Sequence, residues 1–354
     1  MDLPFALLQA AVGVALVTLS LASAFRTVVL PGAAFDRLSR GIFLSLRWML
    51  KVLSRNQRYY QREAVFSVHA PLALLVLALA WATGIMFGFA LLFHATGGVS
   101  IDESLALSGS SFTTLGFIRP QEGIHEFLAI SAAILGLAIV AMLLSYLPTI
   151  YGLYSRREVV VADVSIKSGG QAHGPDLLAR LSIGADTHRI DDLWSDWNHW
   201  LIALGETHTS EPALCFFRSP RGGRSWLTAA TALLDAAILR NVVVDNPGSL
   251  RAEMTYDAGV EAFESIAAFF NVAPPDVPRE TRLSRVDFDA AVAVLETSGV
   301  PVVEDRDAAW REFARLRARF EPQLLGLCRL LLPPPSRWGA DLLDQPAPSD
   351  APKA

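Results

Sequence analysis

Three stretches of the chain are almost free of polar side chains, and the segments between and after them are not. The apolar runs cover residues 4–25, 66–93 and 127–154. Each reaches the roughly 20 residues that a helix needs to cross a bilayer, and the second is long enough to cross with a tilt. Between the first two runs lies "FDRLSRGIFLSLRWMLKVLSRNQRYY", where Phe43, Leu46, Leu50 and Leu53 recur at helical spacing with basic residues interleaved. That pattern fits either a helix lying at the inner membrane surface or a connector packed on a cytoplasmic domain. After the third run the apolar positions follow a helical period over 175–185, 191–206, 225–241, 252–271, 288–299 and 307–332, which predicts a soluble helical bundle. "EVVVADVSI", after Arg157, is either a single strand or the exit from the third helix, and "KSGGQAHGP" is a glycine-rich linker.

Charge orients the spans. Residues 1–158 hold 11 Lys or Arg and 8 Asp or Glu, whereas residues 159–354 hold 19 and 27. The basic charge of the first part is clustered: Arg26, Arg37, Arg40, Arg47, Lys51, Arg55, Arg58 and Arg62 all fall between the first two runs. Loops rich in Lys and Arg stay on the cytoplasmic side. The N-terminus is therefore expected outside, residues 26–65 inside, 95–123 outside, and everything after Arg156 and Arg157 inside. Ala22-Ser23-Ala24 looks like a signal-peptidase site, but the acidic start "MDLP" lacks a basic n-region. Cleavage would also strand the basic loop outside, so the first run is read as a span. Two cysteines, Cys215 and Cys328, exclude a disulfide framework. Arginine replaces lysine almost throughout, which points to a bacterial genome rich in G and C.

The polar loop between the second and third runs, "GGVSIDESLALSGSSFTTLGFIRPQEG", is too short to cross again. Ser100-Ile101-Asp102-Glu103 has the form of a capping box and predicts a helix through Leu105 and Leu107 to about Phe112. The C-terminus of that helix would point into the membrane, where its partial negative charge favours a cation. Thr113-Thr114-Leu115-Gly116-Phe117 follows at once. In an extended form it would present a row of carbonyls, with Gly116 free to adopt the dihedrals that turn them alike. Bare backbone at membrane depth is tolerated where it is buried in protein or lines water, and carbonyl rings replace a cation's hydration shell in pores.

Outer helix, capped short helix, Thr-Thr-x-Gly-aromatic and inner helix together resemble the pore module of the potassium channel superfamily in its two-transmembrane form, over about residues 66–154. Thr114-Leu115-Gly116-Phe117 matches the first four positions of that family's Thr-Val-Gly-Tyr-Gly filter. Gly136 matches its inner-helix hinge glycine, although a small residue there would also let helices pack closely. The resemblance implies a selectivity filter of Thr113, Thr114, Leu115, Gly116, Phe117 and Ile118, an outer mouth at Arg119 and Glu122, a permeant monovalent cation, with potassium the expected one, and a homotetramer, since one loop cannot close a ring. Two departures stand against it. Ile118 replaces the second filter glycine, and a β-branched residue strongly disfavours positive φ. Arg119 replaces the usual acidic residue and would repel cations unless Glu122 or Glu126 ties it down. The pore either selects loosely or does not conduct, which leaves a membrane-anchored interaction protein as the alternative.

The helical part offers less chemistry. His199, Glu206, His208 and Cys215 are candidate metal ligands, but they match no strict spacing. A tryptophan-rich helix packed on the next segment, with the histidines at its polar edge, is the favoured explanation. A membrane-bound enzyme built on His199 and His208 lacks a converging nucleophile, base and orienting group. "RSPRGGRSW" (residues 218–226) could hold an anion at a helix start or be a solvated basic turn. It lacks the Walker spacing, and no Gly-x-Gly-x-x-Gly follows a strand, so no nucleotide-binding regulatory domain is expected. His94 and His125, near the outer surface, are either pH sensors or plain interfacial residues.

The expected protein is all-α, polytopic and not an enzyme. It has an N-terminal transmembrane helix (1–25), a basic interfacial linker (26–65), a channel-like pore module (66–154), a linker (155–174), a cytoplasmic helical domain (175–332) and a disordered tail (333–354). It sits in the inner membrane, contacts the bilayer and an unknown cytoplasmic effector, binds no nucleic acid and needs no cofactor or metal.

Overall fold

A computed structural model describes residues 3–30, 36–54, 59–97, 99–120, 122–182, 187–246, 248–272 and 281–339. Every regular element among them is a helix, apart from one isolated antiparallel bridge between Val244 and Val302. The chain divides into two compact units, residues 1–57 with 68–152, and residues 58–67 with 153–354. The first span and the basic segment up to residue 57 thus fall in one unit with residues 68–152, while residues 58–67 join the helical part.

Among the described residues three helices are long and apolar enough to cross a membrane, α1 (Leu3–Val28), α4 (His69–Ala95) and α6 (Ile124–Lys167), and the first unit holds α1, α4 and α6 up to Gly152. They carry α2 (Arg37–Leu53) and α5 (Ile101–Phe112) with them, while α3 (Tyr59–Ser67) takes in Phe66 and belongs to the second unit. The core is built on α4: Leu77, Trp81, Ile85, Phe89 and Phe93 pack with Ala24 of α1, Leu107 of α5, and Leu128, Ala132 and Ile139 of α6. Glycines let α1 and α4 approach closely. A Cβ on Gly88 would lie 2.8 Å from the Gly13 carbonyl oxygen and 2.7 Å from Val17 Cγ2. Asp36 caps α2 and accepts the Ser23 hydroxyl at 2.6 Å, and Ser23 in turn accepts the Trp81 indole N–H at 2.9 Å.

α6 runs without interruption through 155–167, so most of the expected linker is helical and "EVVVADVSI" is the exit from the inner helix, not a strand. Val161, Val164, Ser165 and Ser168 are buried at helical spacing, and that period prevails over the strand preference of the valines. Residues 168–173 alone form the turn.

In the second unit, α7 (Gly174–Ser182), α8 (Thr187–Ser210), α9 (Trp226–Val242), α10 (Leu250–Phe269), α11 (Arg285–Thr297), α12 (Arg306–Arg317) and α13 (Glu321–Leu331) form a bundle. α9 is its centre: every residue from Trp226 to Leu239 is buried. Trp197, Trp200, Leu201 and Leu204 of α8 are buried on the side the helical period gives, and Trp194 is buried beside them where the period had placed Leu193, which is half-buried. The single helix expected over 307–332 is two. Pro322, at the start of α13, lacks the N–H that a continuous helix needs and would clash with the carbonyl four residues back. A buried guanidinium ties these helices together. Arg317 pairs with Asp235 of α9 and, at 2.9 Å, with Glu321, and donates to the Trp338 carbonyl. Trp338 is buried, so the expected disordered tail is ordered over 333–339; residues 340–354 lie outside the described residues.

Candidate pore loop

The expected capping box is present. Ser100 Oγ accepts the Glu103 N–H at 3.3 Å, and Glu103 Oε2 accepts the Ser100 N–H at 2.9 Å. One face of α5 is polar yet buried, through Ser104, Ser108 and Ser110. Each hydroxyl has a partner, as burial demands. Ser104 donates to the Ser100 carbonyl at 2.8 Å and Ser108 to the Met86 carbonyl of α4 at 2.7 Å, while Ser110 Oγ accepts the Ile118 N–H at 3.2 Å.

The chain then folds back on the end of α5. Thr113 N–H and Oγ1 both donate to the Gly109 carbonyl, Thr114 N–H to Ser111 O, and Gly116 N–H to Ser110 O at 3.2 Å. The reversal is made by two residues with positive φ, Thr114 at 59° and Gly116 at 68°. Gly116 does what its lack of a side chain allows; Thr114 is the unexpected one, because a β-branched residue is rare there. Thr113, Thr114, Leu115, Gly116 and Phe117 are all exposed, Leu115 at 72% and Phe117 at 66%. No donor among the described residues reaches their carbonyls. Ile118 differs: it is half-buried, packs on the α4 core and has negative φ, as its branching requires. Arg119 and Glu122 are exposed, and among the described residues Arg119 pairs with neither Glu122 nor Glu126.

Gly136 is the tightest point of the site. A Cβ there would stand 2.0 Å from the Phe112 carbonyl oxygen, so the glycine lets the last carbonyl of α5 seat directly on α6. Sequence reasoning missed two partners of this arrangement. Ser110 holds both Gly116 and Ile118, and Pro148 removes one backbone donor from the interior of α6. Pro148 was visible in "SYLPTI"; the role of Ser110 depends on the fold-back and had no local signal. Where α4 ends and α6 begins, His125 is buried and meets Thr96 Oγ1 at 2.8 Å and the Phe93 ring edge-on, and His94 bonds the Val99 carbonyl. Both histidines tie helix ends together.

In the second unit His199, Glu206, His208 and Cys215 do not converge, and no group of His, Cys, Asp or Glu able to hold a metal occurs among the described residues. His208 is buried, its ring packed at a tilt against Trp226, with Nε2 3.3 Å from Arg157 Nη1. Burial first, then the Arg157 charge, hold its imidazole well below the ordinary range. Burial likewise raises the Cys215 thiol far above its ordinary value, so it is not a ready nucleophile. The first arginine of the basic turn is committed: Arg218 pairs with Glu63 at 3.2 Å and donates to the Leu331 and Leu332 carbonyls. A cleft of about 870 Å³ opens elsewhere in the bundle beside Asn241, Tyr256, Asp257, Glu312, Arg315 and Arg319. Both of its arginines are paired within it, Arg315 with Glu312 and Arg319 with Asp257.

No protein-family model, curated protein or solved structure matches this chain.

Proposed function

We propose that this chain is the subunit of a monovalent-cation channel, potassium being the expected ion. In the assembled homotetramer Thr113 to Phe117 line the filter, and the helical unit receives the gating signal. One observation carries the reading: a capped, buried polar helix delivers five consecutive exposed residues whose carbonyls are unclaimed by any described donor. Backbone carbonyls left so at membrane depth need a partner, and a cation shared between four loops supplies it. The exposed stripe Phe127, Ile130, Ile134, Leu137, Leu144 and Tyr151 on α6 recurs at gaps of three, four and seven residues, the spacing by which helices associate.

A second reading has its own support. Ile118 turns its N–H to Ser110 and its side chain to the core, and among the described residues no carboxylate pairs with the exposed Arg119. On that reading the module is a non-conducting scaffold for a membrane-anchored interaction protein. Cation uptake into liposomes holding the purified protein separates the two, with potassium, sodium and caesium compared and Gly116→Asp as control. Flux lost in Gly116→Asp supports the channel, and preference for potassium means that the inner filter positions suffice. Well-folded tetramers without flux, whether the helical unit is kept or removed, exclude it.

A further inference from the structure

The basic helix α2 has three distinct sides. At about 100° per residue, Ser39, Phe43, Leu46 and Leu50 occupy one narrow side, and these are its buried residues. Arg37, Arg40, Arg47 and Lys51 fall within an arc of about 80°. Trp48, Val52, Leu38, Met49 and Leu53 fall within a third arc of about 140°, and these are apolar yet exposed, Trp48 at 68%, Leu53 at 66% and Val52 at 53%. A helix that only connects two spans has no reason to expose tryptophan, leucine and valine together.

The placement of α2 says what covers that side. Its N-cap Asp36 accepts from Ser23, and Ser39 meets Thr27 at 2.9 Å, both in the last turns of α1. Its Phe43 carbonyl lies 3.0 Å from Nε2 of His69, the first residue of α4. The helix is therefore fastened where one apolar span ends and another begins, at the level of lipid headgroups. We infer that α2 lies in the membrane interface, with Trp48, Val52 and Leu53 among the acyl chains and Arg37, Arg40 and Lys51 on the headgroups of anionic phospholipid. Charge selects the occupant: a basic edge beside an apolar face complements an anionic leaflet, and a second copy of the same helix would bring like charges together. The inference goes beyond the proposed channel and rests on the three spans alone.

The test uses the full chain in vesicles of phosphatidylcholine and phosphatidylglycerol, with an environment-sensitive fluorophore on Val52→Cys or, separately, Arg40→Cys. Leu53→Cys serves if the first variant folds poorly, and the native Cys215 and Cys328 are buried. The label at 52 is expected to be quenched by nitroxide on lipid acyl chains and spared by aqueous iodide; the label at 40 is expected to show the reverse. Arg37→Gln with Lys51→Gln should lower the enrichment of headgroup-labelled phosphatidylglycerol near position 40 by roughly fivefold for each charge removed. Iodide quenching at 52 equal to that at 40 means a solvated helix and overturns the inference. Protection at 52 from both quenchers means that protein covers the face, and an unchanged lipid preference removes the role of charge; either also overturns it.

Discussion

Gly136→Ala distinguishes a packing glycine from a bending one. The added methyl would stand 2.0 Å from the Phe112 carbonyl oxygen, 3.0 Å from its carbon and 3.3 Å from Phe112 Cδ2. A comfortable C···O contact is about 3.3 Å or more, so the end of α5 and the α6 backbone must separate by about an ångström. The obstacle is backbone on both sides and cannot rotate away. Overpacking of that kind costs about 1–3 kcal/mol, and this contact belongs at the upper end. Replacing glycine by alanine within a helix returns about 1 kcal/mol, leaving a net loss near 2 kcal/mol. Gly152, on the same helix, has nothing within 4 Å, so Gly152→Ala should gain about 1 kcal/mol. The two substitutions thus act with opposite sign, read as unfolding midpoints of the purified protein in detergent, and Gly136→Ala should also displace the loop and abolish flux. The reasoning is refuted if Gly136→Ala is as stable as wild type and alters only the opening of the pore, which is what a hinge would do.

Other expectations follow from the same contacts. Gly88→Ala should destabilise the first unit more than Gly84→Ala, because the Gly88 methyl meets the Gly13 backbone whereas the Gly84 methyl meets only the Ser20 hydroxyl; unfolding midpoints decide it. Arg317→Met leaves Asp235 and Glu321 buried without their cation and should cost about 3–5 kcal/mol, measured by denaturant unfolding of the full chain. Burial outweighs the attraction of Arg317 and raises the Asp235 carboxyl to about 6. A raised folded value favours the protonated state, so this group's contribution is fully present below its ordinary value of 3.8 and is lost as pH rises through about 6. The loss amounts to about 3 kcal/mol, and the difference in unfolding midpoint between wild type and Asp235→Asn across that window should carry it. A flat difference would refute it. Ser110→Ala frees the Ile118 N–H and should broaden ion selectivity in the flux assay without abolishing assembly.

The elements whose signals are local were legible in the sequence. Hydrophobic length gave α1, α4 and α6, and Ser100 with Glu103 announced α5 and its first residue. The positive φ of Gly116 agrees with the freedom read for that glycine, whereas the segment expected in extended form turns back on the end of α5. What sequence could not supply came from contacts that close over distance. Thr114 adopts a conformation its own side chain opposes, and only the bonds drawn by Ser110 and Ser111 hold it there. The helix break after Arg317 was masked by an unbroken apolar period, although Pro322 marked it. Arg317, Asp235 and Trp338 find one another across most of the bundle, and no periodicity foretells that. The metal candidates failed for a related reason: His208 and Cys215 are buried against Arg157 and Trp226 and turn away from any shared centre.

The all-round burial of α9 sets an order of events during synthesis. Its neighbours are drawn from both sides of the chain, α7 before it and α10, α12 and α13 after it, and the ion pair of Asp235 closes only when Arg317 and Trp338 have been made. At about 5–20 residues per second, the stretch from Asp235 to Trp338 takes on the order of 5–20 s to emerge. Through that interval a helix that the finished bundle buries on every side waits without its cover, while the apolar helices upstream have already left the ribosome. Maturation of the helical unit is therefore the late step, and a chain that stalls before Trp338 presents chaperones and proteases with an inserted membrane part and an unsealed bundle.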